Sequence, residues 1–293
     1  MTEFLQLVAN GVAIGSLYAL IGLSVVIIYK ATHVVSLAHG ELLALGALFF
    51  WFVSAVLRLP LWLSLLSTFA VAAIMGFAVE RFLRPLIGES HLTTFMMTFA
   101  IFMILDAVFQ FILKGSYKVL PPLLPVEQLQ VAGVVMAPAG LFGLGIALLL
   151  FIALAGFFRY TKSGLGMRAT SESHALARSA GINVRDIFSL VWIISAVLAS
   201  ASGIVVAMTT DIGYTLPWII IKGMVVALFG GLDSLPGALA AGLLLGVLES
   251  IGAGYLDPLV GGGFQDVTAF IVLLLILLVR PYGLFGLAKI ERV

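Results

Sequence analysis

"RYTKSGLGMRATSESHALARSAGINVRD", residues 159–186, is the longest polar interval of the chain and holds Arg159, Lys162, Arg168, Arg178 and Arg185. The runs that flank it, 133–158 and 187–209, are predominantly apolar and hold no charged residue. Each is long enough to cross a hydrocarbon core of about 30 Å as a helix. A basic interval between two such runs reads as an aqueous loop of a membrane protein. The rest of the chain reads the same way. Hydrophobic residues make up 62% of its 293 residues and charged residues only 10%, against roughly 25% in a soluble domain. Mean hydropathy is +1.22.

Working outward from the loop, spans are predicted at 5–29, 34–57, 61–80, 93–113, 133–158, 187–209, 217–230, 236–252 and 266–280. The seventh and eighth are short and Gly-rich, and they meet at "FGGLDSLPGALAAG", 229–242. Short or Gly/Pro-interrupted spans often line a transport pathway, so one of these two is a candidate re-entrant segment. The expected fold is all-α and polytopic, with eight or nine transmembrane helices in a single domain, 1–293. No internal repeat is visible.

Lysine and arginine set the orientation, because cytoplasmic loops hold an excess of both. With 159–186 inside, Lys30, Arg81, Arg84, Arg159, Lys162, Arg168, Arg178, Arg185, Arg280, Lys289 and Arg292 all fall inside, 11 of the 15 basic residues. Arg58, Lys114 and Lys118 fall outside, and Lys222 lies within a span. The N-terminus is then outside and the C-terminus cytoplasmic, which requires an odd number of crossings. The first span is expected to be retained, because "MTEFLQLVAN" lacks a basic n-region and no cleavage site follows its apolar run.

The same composition excludes several functions. There is no large polar segment to hold a soluble catalytic domain. With no cysteine, disulfides, Fe–S centres and thiol chemistry are excluded. The chain has no G-x-x-x-x-G-K-[ST] phosphate loop and no G-x-S-x-G. It is expected to be no enzyme, with no metal and no cofactor of its own. The net charge of +1 gives no reason to expect nucleic acid as a partner.

Four places could carry function. In the loop, Ser171 is placed to cap a short helix with Glu172 in its first turn, and Gly181 suits its end. Leu176, Ala177 and Ala180 give that helix a small apolar face beside Arg178. A helix of about nine residues is marginal alone in water. It reads either as an ordinary connector or as a docking helix for a cytoplasmic partner. In "SLAHGELL", His39 and Glu41 lie one to two turns into the second span, near its cytoplasmic end, with Gly40 between them allowing a kink or a close approach. Ionisable groups there cost about 2.5–3.5 kcal/mol each on insertion scales. They read as a mutually satisfied pair or as part of a pathway or gate. Two ligands without a third are a weak metal signal. Asp106 lies mid-span with Gln110 one turn on, as helix–helix glue or a proton relay. Lys222 either snorkels to the outer interface or attracts a substrate carboxylate. Glu249 is expected at the outer end of its span, within reach of water.

Several blocks carry a resemblance. "NGVAIGSLYALIGLSVVIIYKATHVVSLAHGELLALGA", 10–47, resembles the opening of bacterial branched-chain amino acid ABC permeases of the LivH type, through Gly11, Gly15, Tyr18, Ala19, Leu20, Tyr29, Ala38, His39, Gly40 and Glu41. "GMRATSESHALARSAGINV" (166–184), "GGLDSLPGALAAGLLLGVLE" (230–249) and "RPYGLFG" (280–286) are similar to its loop, its Gly-rich block and its C-terminal motif. Two positions depart from the pattern: Asp233 stands where Gly is usual, and the E-A-A-x-x-x-G coupling motif keeps only Ala177 and Gly181.

The resemblance implies a type II ABC importer permease moving branched-chain or similar small neutral amino acids by ATP-driven alternating access. A urea- or amide-transporting branch of the family is the alternative, and a proton-coupled secondary transporter is the reading outside it. It also implies a bacterial inner-membrane location and three kinds of partner besides the lipid bilayer and ATP: two ATPase subunits, a second related permease, and a periplasmic or lipid-anchored binding protein. ATP and Mg²⁺ would sit on the ATPases. Docking would fall on Ser171, Glu172, His174, Leu176, Ala177, Arg178 and Gly181 of the 159–186 coupling loop. The pathway or gate would draw on His39, Gly40, Glu41, Asp106, Lys222, Gly230 and Gly231.

Overall fold

The computed structural model describes residues 2–86, 89–124, 129–131 and 133–286. Its helices are α1 (Thr2–Thr32), α2 (Ala38–Trp51), α3 (Leu61–Leu83), α4 (His91–Leu113), α5 (Pro138–Tyr160), α6 (Lys162–Glu172), α7 (His174–Ser179), α8 (Val184–Ala207), α9 (Ile220–Gly230), α10 (Leu235–Val260) and α11 (Phe264–Val279). Among the described residues, seven helical stretches are long and apolar enough to cross a membrane, and 216–230 and 264–279 are two shorter apolar ones. All nine coincide with predicted spans, so the all-α polytopic expectation holds. Strands Leu129–Val131 and Val134–Met136 (β1 and β2) form one antiparallel hairpin, with Leu129 opposite Met136.

The boundaries follow from local chemistry. Ser90 caps α4 through the Thr93 N–H, and Ser234 caps α10 through the Gly237 N–H, with Pro236 in the first turn. Such side-chain acceptors satisfy donors that the helix leaves unpaired. Gly261, Gly262 and Gly263 all take positive φ and turn α10 into α11. Two expectations change. Residues 134–136 are strand rather than the start of a helix. The eighth span is no short segment, since α10 runs 26 residues, to Val260.

The chain divides into two compact units. One holds residues 1–26, 124–151 and 221–293. There α1 and α10 meet backbone to backbone: a Cβ on Gly15 or Gly246 would collide with the main chain of the other helix. In lipid this close approach of small residues is what holds helices together. Gln6 completes the hairpin edge, donating to the Val135 carbonyl (2.6 Å) and accepting from the Val135 N–H (2.8 Å).

The other unit holds residues 27–123 and 152–220. Its core is α8, packed on α2 and α3, with α4 against α2. Val191, Trp192, Ser195, Ala196 and Ala199 of α8 are all buried. The π-helical turn Phe52–Val56 extends α2 by one turn.

Candidate pathway and docking site

The loop that opened the reading folds as two helices rather than one. Thr161 caps α6 through the Gly164 N–H, and α6 runs through Ser171 and Glu172. The chain then turns extended at Ser173 (φ −161°, ψ 120°), and Ser173, not Ser171, caps α7 through the Leu176 N–H. Helix α7 is six residues long, shorter than expected. Gly181 follows with φ +81°, the left-handed conformation that suits glycine.

Ala177 is the inward residue of α7, buried against Val184 and Phe188. Leu176 faces out, 71% exposed, with Arg178 also exposed. The expected single apolar face is therefore split. One residue anchors the helix, and its neighbours are presented outward. His33 lies where α1 has ended, with φ 54°. Its Nε2 stands 3.0 Å from the Ser171 carbonyl oxygen, so this nitrogen bears the donated hydrogen. The His174 ring lies edge-on to Phe188 at 5.3 Å and 6.2 Å from His33. Burial, then the nearby His33 and Arg178, hold the His174 imidazole below its ordinary pKa, so it is neutral at pH 7.

The His-Gly-Glu tripeptide sits deeper than expected. Residues 33–37 are not helical, and α2 begins at Ala38, so His39 and Glu41 belong to its first turn. His39 Nε2 lies 2.7 Å from Ser195 Oγ, and its ring is 5.2 Å from Trp192. Ser195 is eleven residues into α8, about 16 Å along that helix at 1.5 Å per residue. The second span thus starts late, at Ala38, and its N-terminus lies about halfway along α8 rather than near the loop end. Gly40 makes the close approach that its position suggested. A Cβ there would strike the Pro217 carbonyl and Ile220, so only glycine lets the 3-10 turn Leu216–Ile219 lie against α2.

Glu41 is fully buried, and its carboxyl interacts with that of Asp106 on α4. Gln110 donates to Asp106 Oδ2 at 2.8 Å, as its spacing of one turn suggested. Neither Glu41 oxygen, nor Asp106 Oδ1, nor His39 Nδ1 has a hydrogen-bond partner among the described residues. Ionisable groups buried within spans normally face protein or a water-filled path, and here they lie at the start of a helix beside a 3-10 turn.

Lys222 and Glu249 are not where the sequence put them. Lys222 does not snorkel freely: its Nζ lies 2.5 Å from Glu249 Oε1 and 3.1 Å from Asp266 Oδ1. Glu249 does not reach water. It is fully buried, and Tyr18 donates to its other oxygen at 2.8 Å. The lysine also lies over the rings of Tyr18 and Phe270. Asp266 was missed altogether. A Lys in one span and an acid in the first turn of another was the signal available for it.

Gly230 and Gly231 sit at a junction. The carbonyls of Phe229 and Gly230 accept from the Leu284 and Phe285 N–H groups (2.9 and 3.1 Å), and Gly231 has φ +101°. The 280–286 motif therefore folds back onto the end of α9. Among the described residues, no group of three or more His, Cys, Asp or Glu could hold a metal ion.

Comparison with known proteins places the chain in a family. The family model described as the permease component of the branched-chain amino acid transport system matches residues 7–280. The chain belongs to that permease family. The high-affinity branched-chain amino acid transport permease BraD of Pseudomonas aeruginosa is 30% identical, over 99% of this chain and 98% of its own. LivH of Salmonella typhimurium is 29% identical over the same shares, and the probable LivH permease of Methanocaldococcus jannaschii is 29% identical over 98% and 95%. Among solved structures, PsaBC from Streptococcus pneumoniae in complex with Fab matches with TM-score 0.51 at 14% identity, covering 95% of this permease and 92% of that chain. At that identity the likeness speaks for the fold alone.

Proposed function

We propose that this permease is the transmembrane subunit of an ABC importer that carries branched-chain or similar small neutral amino acids inward. Family membership supports the substrate class. The observation that carries the mechanism is α7: a short capped helix, anchored by buried Ala177, that presents Leu176 and Arg178 outward. The chain forms one permease domain in a bacterial inner membrane, with the N-terminus outside and the 159–186 loop and C-terminus cytoplasmic, as its basic residues require. Two ATPases carrying ATP and Mg²⁺ engage the loop at Ser171, Glu172, His174, Leu176, Arg178 and Gly181, while buried Ala177 holds α7 in place. A second related permease completes the path, and a binding protein delivers the amino acid.

In this mechanism ATP acts as the ligand that shifts the balance between inward- and outward-open states, by its differential affinity for the two. The start of α2, with His39, Gly40, Glu41 and Asp106, forms the moving part of the pathway. The test is uptake of labelled leucine by vesicles containing the reconstituted complex. Uptake that requires ATP and the binding protein and survives a protonophore is expected. Uptake by the permease alone that a protonophore collapses would instead favour proton coupling through Glu41 and Asp106, whose buried, mutually facing carboxyls are the observation on that side. Urea or a short amide outcompeting leucine would move the substrate class.

A further inference from the structure

Beside α7 lies a cleft of about 200 Å³ that none of the roles above uses. At about 30 Å³ per water it has room for six or seven waters, or one small solute. Its floor is apolar, made by buried Leu83, Phe188 and Trp192 with partly buried Leu86. Its rim is charged. Arg84 binds both oxygens of buried Glu80 through Nε and Nη2 (2.9 Å each) and reaches Ser189 Oγ at 3.0 Å. Among the described residues, Nη1 is the guanidinium nitrogen with no hydrogen bond to another side chain. Glu89 lines the cleft, together with His33 and His174. His33 Nδ1 and His174 Nε2 are both without a hydrogen-bond partner among the described residues.

We propose that this cleft binds a small apolar zwitterion, an amino acid of the class the importer carries, and that its occupancy restrains α7. Besides the two imidazoles, the lining carries one cation, Arg84, and two acidic side chains, Glu80 and Glu89. A bare anion meets two acidic side chains, and a bare cation meets the guanidinium. A zwitterion satisfies both: its carboxylate accepts from Arg84 Nη1 in a charge-assisted hydrogen bond, and its ammonium answers Glu89. The apolar floor selects an aliphatic side chain. The cleft touches the docking helix through His174 and the end of α1 through Thr32 and His33. A solute bound there fixes α7 to α1, α3 and α8, so the product on the loop side slows its own import. This inference rests on the importer reading above.

The experiment loads leucine inside vesicles containing the complete complex and follows ATP-driven uptake. Internal leucine at twice its Kd fills two thirds of the sites and is expected to slow uptake about threefold. Leucinamide, without the carboxylate, and isocaproate, without the ammonium, are expected to act far more weakly. Leu86→Trp, which fills the cleft, and Glu89→Gln, an exposed change, should each relieve the inhibition while uptake itself persists. Normal uptake indifferent to internal leucine overturns the proposal, as does inhibition that survives both variants. If no uptake occurs at all, the importer reading fails. Equilibrium dialysis of labelled leucine against the purified permease then decides: binding lost in Leu86→Trp and Glu89→Gln sustains the cleft, and its absence in the wild type overturns it.

Discussion

Two buried polar clusters, one in each compact unit, invite comparison. Around Lys222 every charge is answered: Glu249 has the ammonium on one oxygen and the Tyr18 hydroxyl on the other, and Asp266 adds a second carboxylate from the exposed side. Around Glu41 little is answered: the acid it meets is another acid, Asp106, and among the described residues one oxygen of Asp106 and one nitrogen of His39 have no hydrogen-bond partner. Burying charge is costly unless it is paired and hydrogen-bonded. The first cluster therefore joins α1, α9, α10 and α11 as a structural clasp. The second sets Glu41 against another acid, Asp106, with little else to answer it, and this imbalance is what the pathway role proposed above would use.

Substitutions can break or sharpen that contrast. The largest stability effect is expected from Lys222→Met, which strands fully buried Glu249. Loss of one partner of a buried pair costs about 3–5 kcal/mol, read as a lower midpoint in denaturant titration of the detergent-solubilised protein. A smaller loss in the double variant Lys222→Met/Glu249→Gln would confirm the pairing, and an unchanged midpoint for Lys222→Met would remove the clasp. Glu41→Gln should behave in the opposite way. It keeps the shape, so stability should move by less than about 1 kcal/mol. Transport should fall at least about tenfold, equivalent to roughly 1.4 kcal/mol. Full transport by Glu41→Gln would return the second cluster to a packing role. The smallest effect is expected from Asp266→Asn, because that side chain is 77% exposed. Exposed ion pairs contribute about 0–1 kcal/mol, so a shift as large as that of Lys222→Met would show that Asp266, and not Glu249, is the principal partner.

The spans were legible because apolar length is a local property. All nine predicted runs fall on helices, and Ser90, Ser234 and Gly181 mark helix ends as their chemistry suggests. Where the sequence misled, distant contacts decided. Ser171 and Ser173 are both good caps. The choice fell to Ser173 because α6, begun by Thr161 and packed on α8, runs on past Ser171. The partners of Lys222 are 27 and 44 residues further along, and Tyr18 is 231 residues from the Glu249 it serves, so no window of sequence holds the clasp. The depth of His39 was equally invisible. It depends on Ser195 and on the Pro217 turn that Gly40 admits. What could be read was that His39, Glu41, Asp106 and Lys222 were out of place in apolar spans. Which of them would find partners could not be read.

The docking role of α7 is tested most directly by measuring ATP hydrolysis and leucine uptake together in vesicles with the double variant Leu176→Glu/Arg178→Glu. Both side chains are exposed, so the fold and expression should be unchanged, as surface substitutions usually move stability by no more than about 0.5 kcal/mol. The account predicts uptake near background, with hydrolysis no longer tied to transport. Undiminished uptake per ATP hydrolysed would contradict it.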